Sequence, residues 1–350
     1  RHWLKWEQHT EFVTYTLIAE GTPGAAFDAA GFAPFPEDWL ARAPGQRITS
    51  ALVHVAPRLE DAEIVEKLDA WFVPESLAVS VVLDDAAVIA GDFRIDQNGH
   101  QRFAVFAGET TGARRIGRIV QRLCEIETYK AMSMLGFARV RALSPELSAL
   151  DTELTATAGA MADADNAAED TLATLLRCSA TLEALAARAS FRFAATAAYS
   201  HIVDQRIAAL REVRFMGRQS FAEFMMRRYD PAMRTVLSTQ ARMEAMSARS
   251  ERASNLLRTR VDVERSAQNQ LLLASMDERS DLQLRLQATV EGLSVVAISY
   301  YAVSLVGYLA YPLAEALALS RGLLVAAATP PVVGLVWWAV RRIRHRIEKG

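Results

Sequence analysis

The sequence lacks the short motifs by which most enzyme active sites are recognised. It contains no GxSxG turn, no P-loop, no HExxH zinc motif and no GxGxxG dinucleotide motif. It has only two cysteines, Cys124 and Cys178, which lie far apart and form no CxxC pair. We therefore expect that the protein is not an enzyme, and we interpret both cysteines as packing residues.

The chain also lacks an excess of charge of either sign. Its 350 residues include 39 Lys and Arg against 41 Asp and Glu, which gives a formal net charge of −2. A balance this close gives no reason to expect nucleic acid as a partner. We expect no resident cofactor, and a divalent cation is the one ligand class left open.

One group of residues near the start of the chain has the chemistry of a metal site. Glu7, His9 and Glu11 alternate, so on a single strand their side chains would share one face. Carboxylate and imidazole groups side by side bind divalent metals. We favour an ordinary exposed strand face, and the other histidines show no ligand spacing.

Two long stretches contain no charged side chain, namely residues 292–312 and 322–340. A helix needs about 20 apolar residues to cross a bilayer core of about 30 Å. Only nine residues, 313–321, separate the two stretches, so the pair predicts a hairpin of two transmembrane helices. Pro330 and Pro331 are expected to kink the second helix, and Trp337 and Trp338 suit the membrane interface.

A basic segment follows the second apolar stretch and predicts its orientation. The positive-inside rule places this segment, and with two crossings also the large N-terminal part, in the cytoplasm. The residues that anchor this topology are Arg341, Arg342, Arg344 and Arg346.

Residues 1–112 read as an α/β domain with a small mixed or antiparallel sheet. Strands are predicted for Glu11–Glu20, Arg47–Val55 and Leu77–Leu83, which are rich in apolar and β-branched residues. Asn98-Gly99 predicts a hairpin turn between two further strands. Because the sequence begins with Arg1, we expect it to be a piece of a longer chain.

From residue 113 onward glycine and proline almost vanish, which predicts helices. Residues 113–230 are expected to form a helical bundle, with a turn at Asp163–Asn166. Pro231 suits the first turn of a helix, and residues 231–291 predict a long stalk that leads into a membrane hairpin at 292–350. The stalk needs partner helices to cover its apolar side, so we expect a homo-oligomer. Apolar stripes are formed by Leu147, Leu150 and Leu154 and by Leu172, Leu175, Leu176, Leu182 and Leu185.

A stripe of hydroxyl side chains follows one side of the first apolar stretch. We interpret it as helix packing with interfacial tyrosines, and the alternative is a permeation path in an oligomer. The stripe is formed by Ser294, Tyr301, Ser304, Tyr308 and Tyr311. Asn269, Gln283 and Gln287 lie on the stalk. They would extend a permeation path, and a solvated or interhelical face explains them as well.

The start of the predicted bundle is rich in arginine. Arg114, Arg115, Arg118 and Arg122 follow the segment Gly108–Gly112, which precedes a helix. A helix N-terminus binds anions, but this signal alone is weak. We interpret the four arginines as a solvated helix face.

Two stretches resemble a known bacterial family. WLKWEQHTEFVTYT near the start, and LLRTRVDVERSAQNQLLLASMDERSDLQLRLQATVEGLSVVAISYY before and within the first apolar stretch, are similar to domain of unknown function 3422. The resemblance covers essentially the whole chain. It implies a bacterial inner-membrane protein and implies no activity.

A looser resemblance is architectural. An α/β domain, a stalk helix, two C-terminal spans and a basic tail are similar to CorA-type magnesium channels. In that family a Gly-Met-Asn motif closes the first span, whereas Tyr308–Glu315 contains none here. We expect a membrane-anchored homo-oligomer that acts as a scaffold or regulator, with the lipid bilayer as partner and any other protein partner unknown. The alternative is a CorA-like divalent-cation channel.

Overall fold

The structure is a computed structural model, and it describes residues 2–20, 26–28, 35–43, 45–161, 168–309 and 321–347. The chain forms two compact units, Arg1–Arg258 and Thr259–Gly350. The strands are β1 (His2–Gln8), β2 (Val13–Ala19), β3 (Ala51–Pro57), β4 (Ala78–Val82), β5 (Ala87–Ile95), β6 (Gln101–Ala107) and β7 (Val213–Arg214). The helices are α1 (Glu37–Arg42), α2 (Asp61–Trp71), α3 (Ala113–Ala160), α4 (Ala168–Leu210), α5 (Phe221–Arg228), α6 (Asp230–Leu309) and α7 (Arg321–Ile347).

The first unit contains a mixed sheet of five strands, as the sequence predicts. The strand order is β3-β6-β5-β4-β7, with β3 parallel to β6 and the other neighbours antiparallel. The hairpin turn between β5 and β6 is confirmed at Asn98-Gly99. Gly99 adopts a φ of +83°, a conformation that favours glycine, and Asp96 accepts hydrogen bonds from the backbone N–H groups of Asn98 and His100.

Helices cover both faces of this sheet. On one face α3, α4 and α5 bury a core in which Ile119 and Leu123 meet Phe103. On the other face α2 places Ile64 and Leu68 against strand residues that include Phe106. Alternate side chains along each strand thus contribute to two separate cores, one on each face, and this fixes the register of the sheet.

β1 and β2 form a separate two-stranded hairpin, which the sequence analysis did not foresee. The predicted strand Glu11–Glu20 is too long, because β2 begins at Val13. The chain reverses at residues 9–12, where the N–H of His9 donates to the carbonyl of Phe12 at 2.8 Å. Glu7 lies on β1, whereas His9 and Glu11 lie in the turn, so the assumption of one shared strand face is wrong.

The long helices α3 and α4 pack side by side. Leu147, Leu150 and Leu154 are buried as predicted, and so are Leu175, Leu182 and Leu185. Leu176 is 47% exposed, since it lies one residue, or about 100° around the helix, from the buried Leu175. Leu172 is half-buried. The predicted turn Asp163–Asn166 lies outside the described residues.

The start of α6 confirms that Pro231 lies in the first turn of a new helix. The helix runs for 80 residues, which corresponds to about 120 Å at 1.5 Å per residue. Within the first unit it is tied to the earlier helices, because Asp151 accepts from Arg242 at 2.7 Å and from Arg249 at 2.5 Å. Ser179 and Ser250 add a hydroxyl contact of 2.7 Å.

The second unit contains the rest of α6 together with α7. Among the described residues, one helix, Asp230–Leu309, is long and apolar enough to cross a membrane. α7 continues through Pro330 and Pro331. A Cβ atom on Gly307 would lie 3.3 Å from Cγ2 of Val325, so the two helices come close there. The connection 310–320 lies outside the described residues.

Candidate functional site

The part of α6 beyond Arg258 carries many exposed apolar side chains. Leu271, Leu282 and Leu293, spaced by eleven residues, are 73%, 61% and 66% exposed. Leu286 and Val290 lie on the same side and line a groove of about 770 Å³ with Leu282. An eleven-residue spacing keeps side chains on one side of a nearly straight helix. One side of the helix therefore presents a leucine face, defined by Leu271, Leu282, Leu286 and Leu293, which Ser275 and Glu278 interrupt between Leu271 and Leu282.

Two of the three polar stalk residues lie beside this leucine face. The third, Asn269, is exposed and lies about 200° around the helix from Leu271, on the other side. Gln283 and Gln287 line the same groove, so their amides border apolar surface. Such an arrangement is typical of a helix that packs on a partner with a polar rim.

The hydroxyl stripe of the first apolar stretch points away from the less exposed side of α6. Tyr301 and Tyr308 are 72% and 69% exposed and Ser294 is exposed, whereas Ser304 is half-buried. The less exposed side is centred on the buried Ser299, with the half-buried Val295, Ala302, Val303 and Val306 around it. Ser294 donates to the carbonyl of Val290 at 2.8 Å, and Ser304 donates to the carbonyl of Tyr300 at 2.9 Å. Both serine hydroxyls are satisfied within the helix, and Tyr311 lies outside the described residues.

Ser299 is the polar residue of this segment that sequence reasoning missed. It is 6% exposed, and its Oγ has no hydrogen-bond partner within the described ranges. A signal was present, because Ser299 and Ala302 are small residues at helical spacing and small residues mark close helix packing in membranes. The shielded side of α6 is therefore built from small and β-branched side chains.

The predicted topology anchors follow a pair of tryptophans at the end of α7. The guanidinium of Arg341 lies 5.0 Å from the ring centre of Trp337, and that of Arg342 lies 4.9 Å from the ring centre of Trp338. These cation–π pairs place charge next to aromatic rings, as in helices that end at a membrane interface. The structure does not describe the side chains of Arg344 and Arg346.

The turn of the β1–β2 hairpin rests on α3 and α4. Arg192 donates two hydrogen bonds to Glu11, and the hydroxyl of Tyr199 donates a third at 2.8 Å. Burial acts to raise the pKa of Glu11, but the bonds from Arg192 and Tyr199 outweigh it, so the pKa is lowered. Burial and the bond to Glu11 raise the pKa of Tyr199 to about 12.

These contacts rearrange the residues of the suggested metal site. Glu7 pairs with Lys5 at 2.9 Å, and both oxygens of Glu11 are occupied by Arg192 and Tyr199. His9 stacks on Phe12, with ring centres 4.3 Å apart, beside a cavity of about 550 Å³. In the part of the chain that the structure describes, no three His, Cys, Asp or Glu side chains are placed to share a metal ion. The structure therefore does not bring the three residues together as ligands.

Both cysteines lie in packed positions on helices. Cys124 lies on α3, and burial raises the pKa of its thiol to about 11. Cys178 on α4 is 1% exposed, and burial followed by the charge of Glu153 raises its pKa as well. Because the thiolate is the reactive form, a raised pKa lowers the reactive fraction of both thiols near neutral pH.

Comparison with known proteins identifies the family. A family model described as a protein of unknown function (DUF3422) matches residues 1–347. The chain belongs to the DUF3422 family. No curated protein and no solved structure matches it. These comparisons do not show the looser resemblance of this DUF3422 protein to CorA-type channels.

Proposed function

We propose that this DUF3422 protein is a homo-oligomer anchored in the bacterial inner membrane, with its α+β unit acting as a cytoplasmic scaffold or regulator. One observation carries the proposal. The leucine face of α6 is exposed along the helix and leads into the segment 292–309, which has no charged side chain.

The leucine face supports self-association. Burying one leucine side chain contributes about 1.5–3 kcal/mol, so leaving Leu271, Leu282, Leu286 and Leu293 in water gives up several kcal/mol per chain. A second copy offers the same face with the same spacing, and parallel copies of one helix bury such a stripe along its whole length. Membrane insertion would hold the copies parallel.

The ends of the apolar segments support membrane anchoring. Residues 292–312 and 322–340 are each long enough to cross a bilayer core, and Arg341 and Arg342 follow the second one. Two crossings leave the first unit and the basic tail on the same side of the membrane. The positive-inside rule makes that side the cytoplasm.

Disulfide cross-linking in native membranes tests the proposal. Leu282→Cys lies on the leucine face, whereas Asp281→Cys lies about 100° away on the same turn. We expect oxidised Leu282→Cys to form a covalent dimer on a non-reducing gel and Asp281→Cys to remain monomeric. The native thiols contribute little, since Cys124 and Cys178 are packed. Equal cross-linking of both variants, or of neither, would contradict the proposed interface.

A CorA-like divalent-cation channel is the second candidate. It is favoured by the exposure of Tyr301 and Tyr308 on the side of α6 opposite to its shielded residues. In an oligomer with α6 at the centre, this side would line the axis. The internal hydrogen bonds of Ser294 and Ser304 favour plain packing instead, because these hydroxyls do not require water.

Ion flux into proteoliposomes separates the two candidates. A channel gives uptake of Mg²⁺ by wild-type protein and a reduced rate for Ser304→Leu, which adds bulk to the stripe. Leu309→Ala serves as a control for substitution in the same segment. Absence of uptake by wild-type protein that is oligomeric and correctly inserted rules the channel out.

A further inference from the structure

The beginning of α3 and the end of α4 bring five arginines together. Arg115, Arg118 and Arg122 are spaced by three and four residues, so they lie on one side of α3. α4 supplies Arg206, and the chain just after α4 supplies Arg211. Of the four arginines that we interpreted as a solvated helix face, Arg114 and Arg118 are exposed, whereas Arg115 and Arg122 are half-buried.

We define the arginine cluster as Arg115, Arg118, Arg122, Arg206 and Arg211. Two carboxylates form ion pairs with it. Asp84 lies 2.6 Å from Arg211 and 3.8 Å from Arg115. Glu125 pairs with Arg206. Asp85, next to Asp84, forms an ion pair with Arg58 at 2.9 Å and not with the cluster.

Arg118 and Arg122 are left without an ion pair to any described carboxylate. Nη1 of Arg122 is buried and has no hydrogen-bond partner within the described residues. Burial and the positive charges of Arg118, Arg206 and Arg211 lower the pKa of Arg122, although Glu125 acts against them. Five guanidinium groups against two carboxylates leave three positive charges on one small surface.

The backbone beside the cluster adopts conformations that side-chain-bearing residues rarely take. Leu83, Asp84 and Asp85 have φ angles of 53°, 57° and 64°, and Arg211 has a φ of 48°. These residues touch the cluster, because Arg115 donates to the carbonyl of Leu83 and Arg211 pairs with Asp84. Leu83, Asp84 and Asp85 form the hairpin turn between β4 and β5, where positive φ angles are common, and this turn places the carboxylate of Asp84 at the cluster.

We propose that the arginine cluster binds a multiply charged phosphate group, such as pyrophosphate or the phosphate chain of a larger ligand. Guanidinium groups donate paired N–H bonds that match phosphate oxygens. An anion with two or three charges balances the surplus, which a chloride ion does not. The surface is open, since Arg118 is exposed and the side chain of Arg211 is 56% exposed.

Calorimetric titration of the full chain in detergent micelles with pyrophosphate, at constant ionic strength, tests the proposal. We expect binding by wild-type protein and a dissociation constant at least tenfold weaker for Arg118→Gln combined with Arg122→Gln. Arg141→Gln, an exposed change that removes one charge from the same helix, is the matched control for Arg118→Gln alone and should bind like wild type. If the control weakened pyrophosphate binding equally, overall charge alone would explain the effect, and the proposed site would be contradicted.

Two further measurements keep the test decisive. Arg118 is exposed, so Arg118→Gln alone leaves the fold intact and must still weaken binding if the double variant fails to fold. Titration with dihexanoyl phosphatidic acid identifies the source of the phosphate. Binding of the lipid at least as tight as that of pyrophosphate indicates a headgroup, whereas tighter pyrophosphate binding indicates a soluble ligand. Binding of neither compound overturns the proposal.

Discussion

Arg192 on α4 donates two hydrogen bonds to Glu11, at 3.0 Å to Oε1 and 2.6 Å to Oε2, across 181 residues of sequence. The pair fastens the β1–β2 hairpin to the long helices, and both side chains are largely buried, with 24% and 13% of their area exposed. Beside this pair, the hydroxyl of Tyr199 donates to Glu11, and the rings of His9 and Phe12 contact Tyr129 and Tyr199.

Glu11→Gln is expected to loosen the hairpin. The amide cannot replace the charge that Arg192 faces, and losing hydrogen bonds to a charged partner lowers the local free energy of opening by about 1–3 kcal/mol. Hydrogen exchange of residues 2–20 should accelerate accordingly. Glu7→Gln is the matched control, because its partner Lys5 is exposed, and it should leave exchange unchanged. Similar acceleration in both variants would contradict a specific role for Glu11.

The same pair predicts a pH dependence. The pKa of Glu11 is lowered from its ordinary value of 4.5 in the folded protein, so its stabilising contribution is complete above that value. The contribution is lost as the pH falls further, through the lowered pKa. Hydrogen exchange of the hairpin in wild type and Glu11→Gln should therefore differ at pH 6 and converge in strong acid. If the difference in hydrogen exchange between the two proteins grew as the pH fell, it would contradict a lowered pKa of Glu11.

Gly136→Ala is expected to destabilise the α3–α4 pair. A Cβ atom at this position would lie 2.9 Å from Cβ of Thr196, so the helices must move apart. Overpacking of this kind lowers the free energy of unfolding by about 1–3 kcal/mol. Gly159→Ala on the same helix has open space around its Cβ and should be neutral or stabilising. Thermal unfolding of both variants checks the contrast.

Tyr229→Phe removes a buried hydroxyl contact of 2.7 Å between Tyr229 and Ser133. Ser133 keeps its hydrogen bond to the carbonyl of Lys130, and the loss of the Tyr229 contact lowers the unfolding free energy by about 1 kcal/mol. Combining it with Ser133→Ala should lower stability by less than the sum of the two single changes. Additive losses in this double-mutant cycle would show that the contact contributes nothing.

Local signals in the sequence account for the parts of the fold that were predicted correctly. Asn98-Gly99 encodes its turn through the conformational freedom of glycine, and Pro231 encodes a helix start through its fixed φ angle. The buried leucines of α3 follow from helical periodicity alone. The family assignment also followed from two stretches of sequence.

Relationships between distant segments could not be predicted in the same way. The turn at residues 9–12 has no glycine or proline, and it is held by Arg192 and Tyr199 from another part of the chain. Likewise, Arg206 and Arg211 meet Arg118 and Arg122 because α4 returns along α3. Periodicity also cannot tell a buried leucine from its exposed neighbour at the border of a stripe, as Leu176 shows.

Labelling of single cysteines in intact cells tests the proposed membrane anchoring most directly. Ser320→Cys lies between the two apolar stretches, and Lys349→Cys lies in the basic tail. A membrane-impermeant maleimide should label Ser320→Cys from outside the inner membrane and should reach Lys349→Cys only after the membrane is opened. Labelling of Lys349→Cys in intact cells, or recovery of the whole chain in the soluble fraction without detergent, would contradict the proposal.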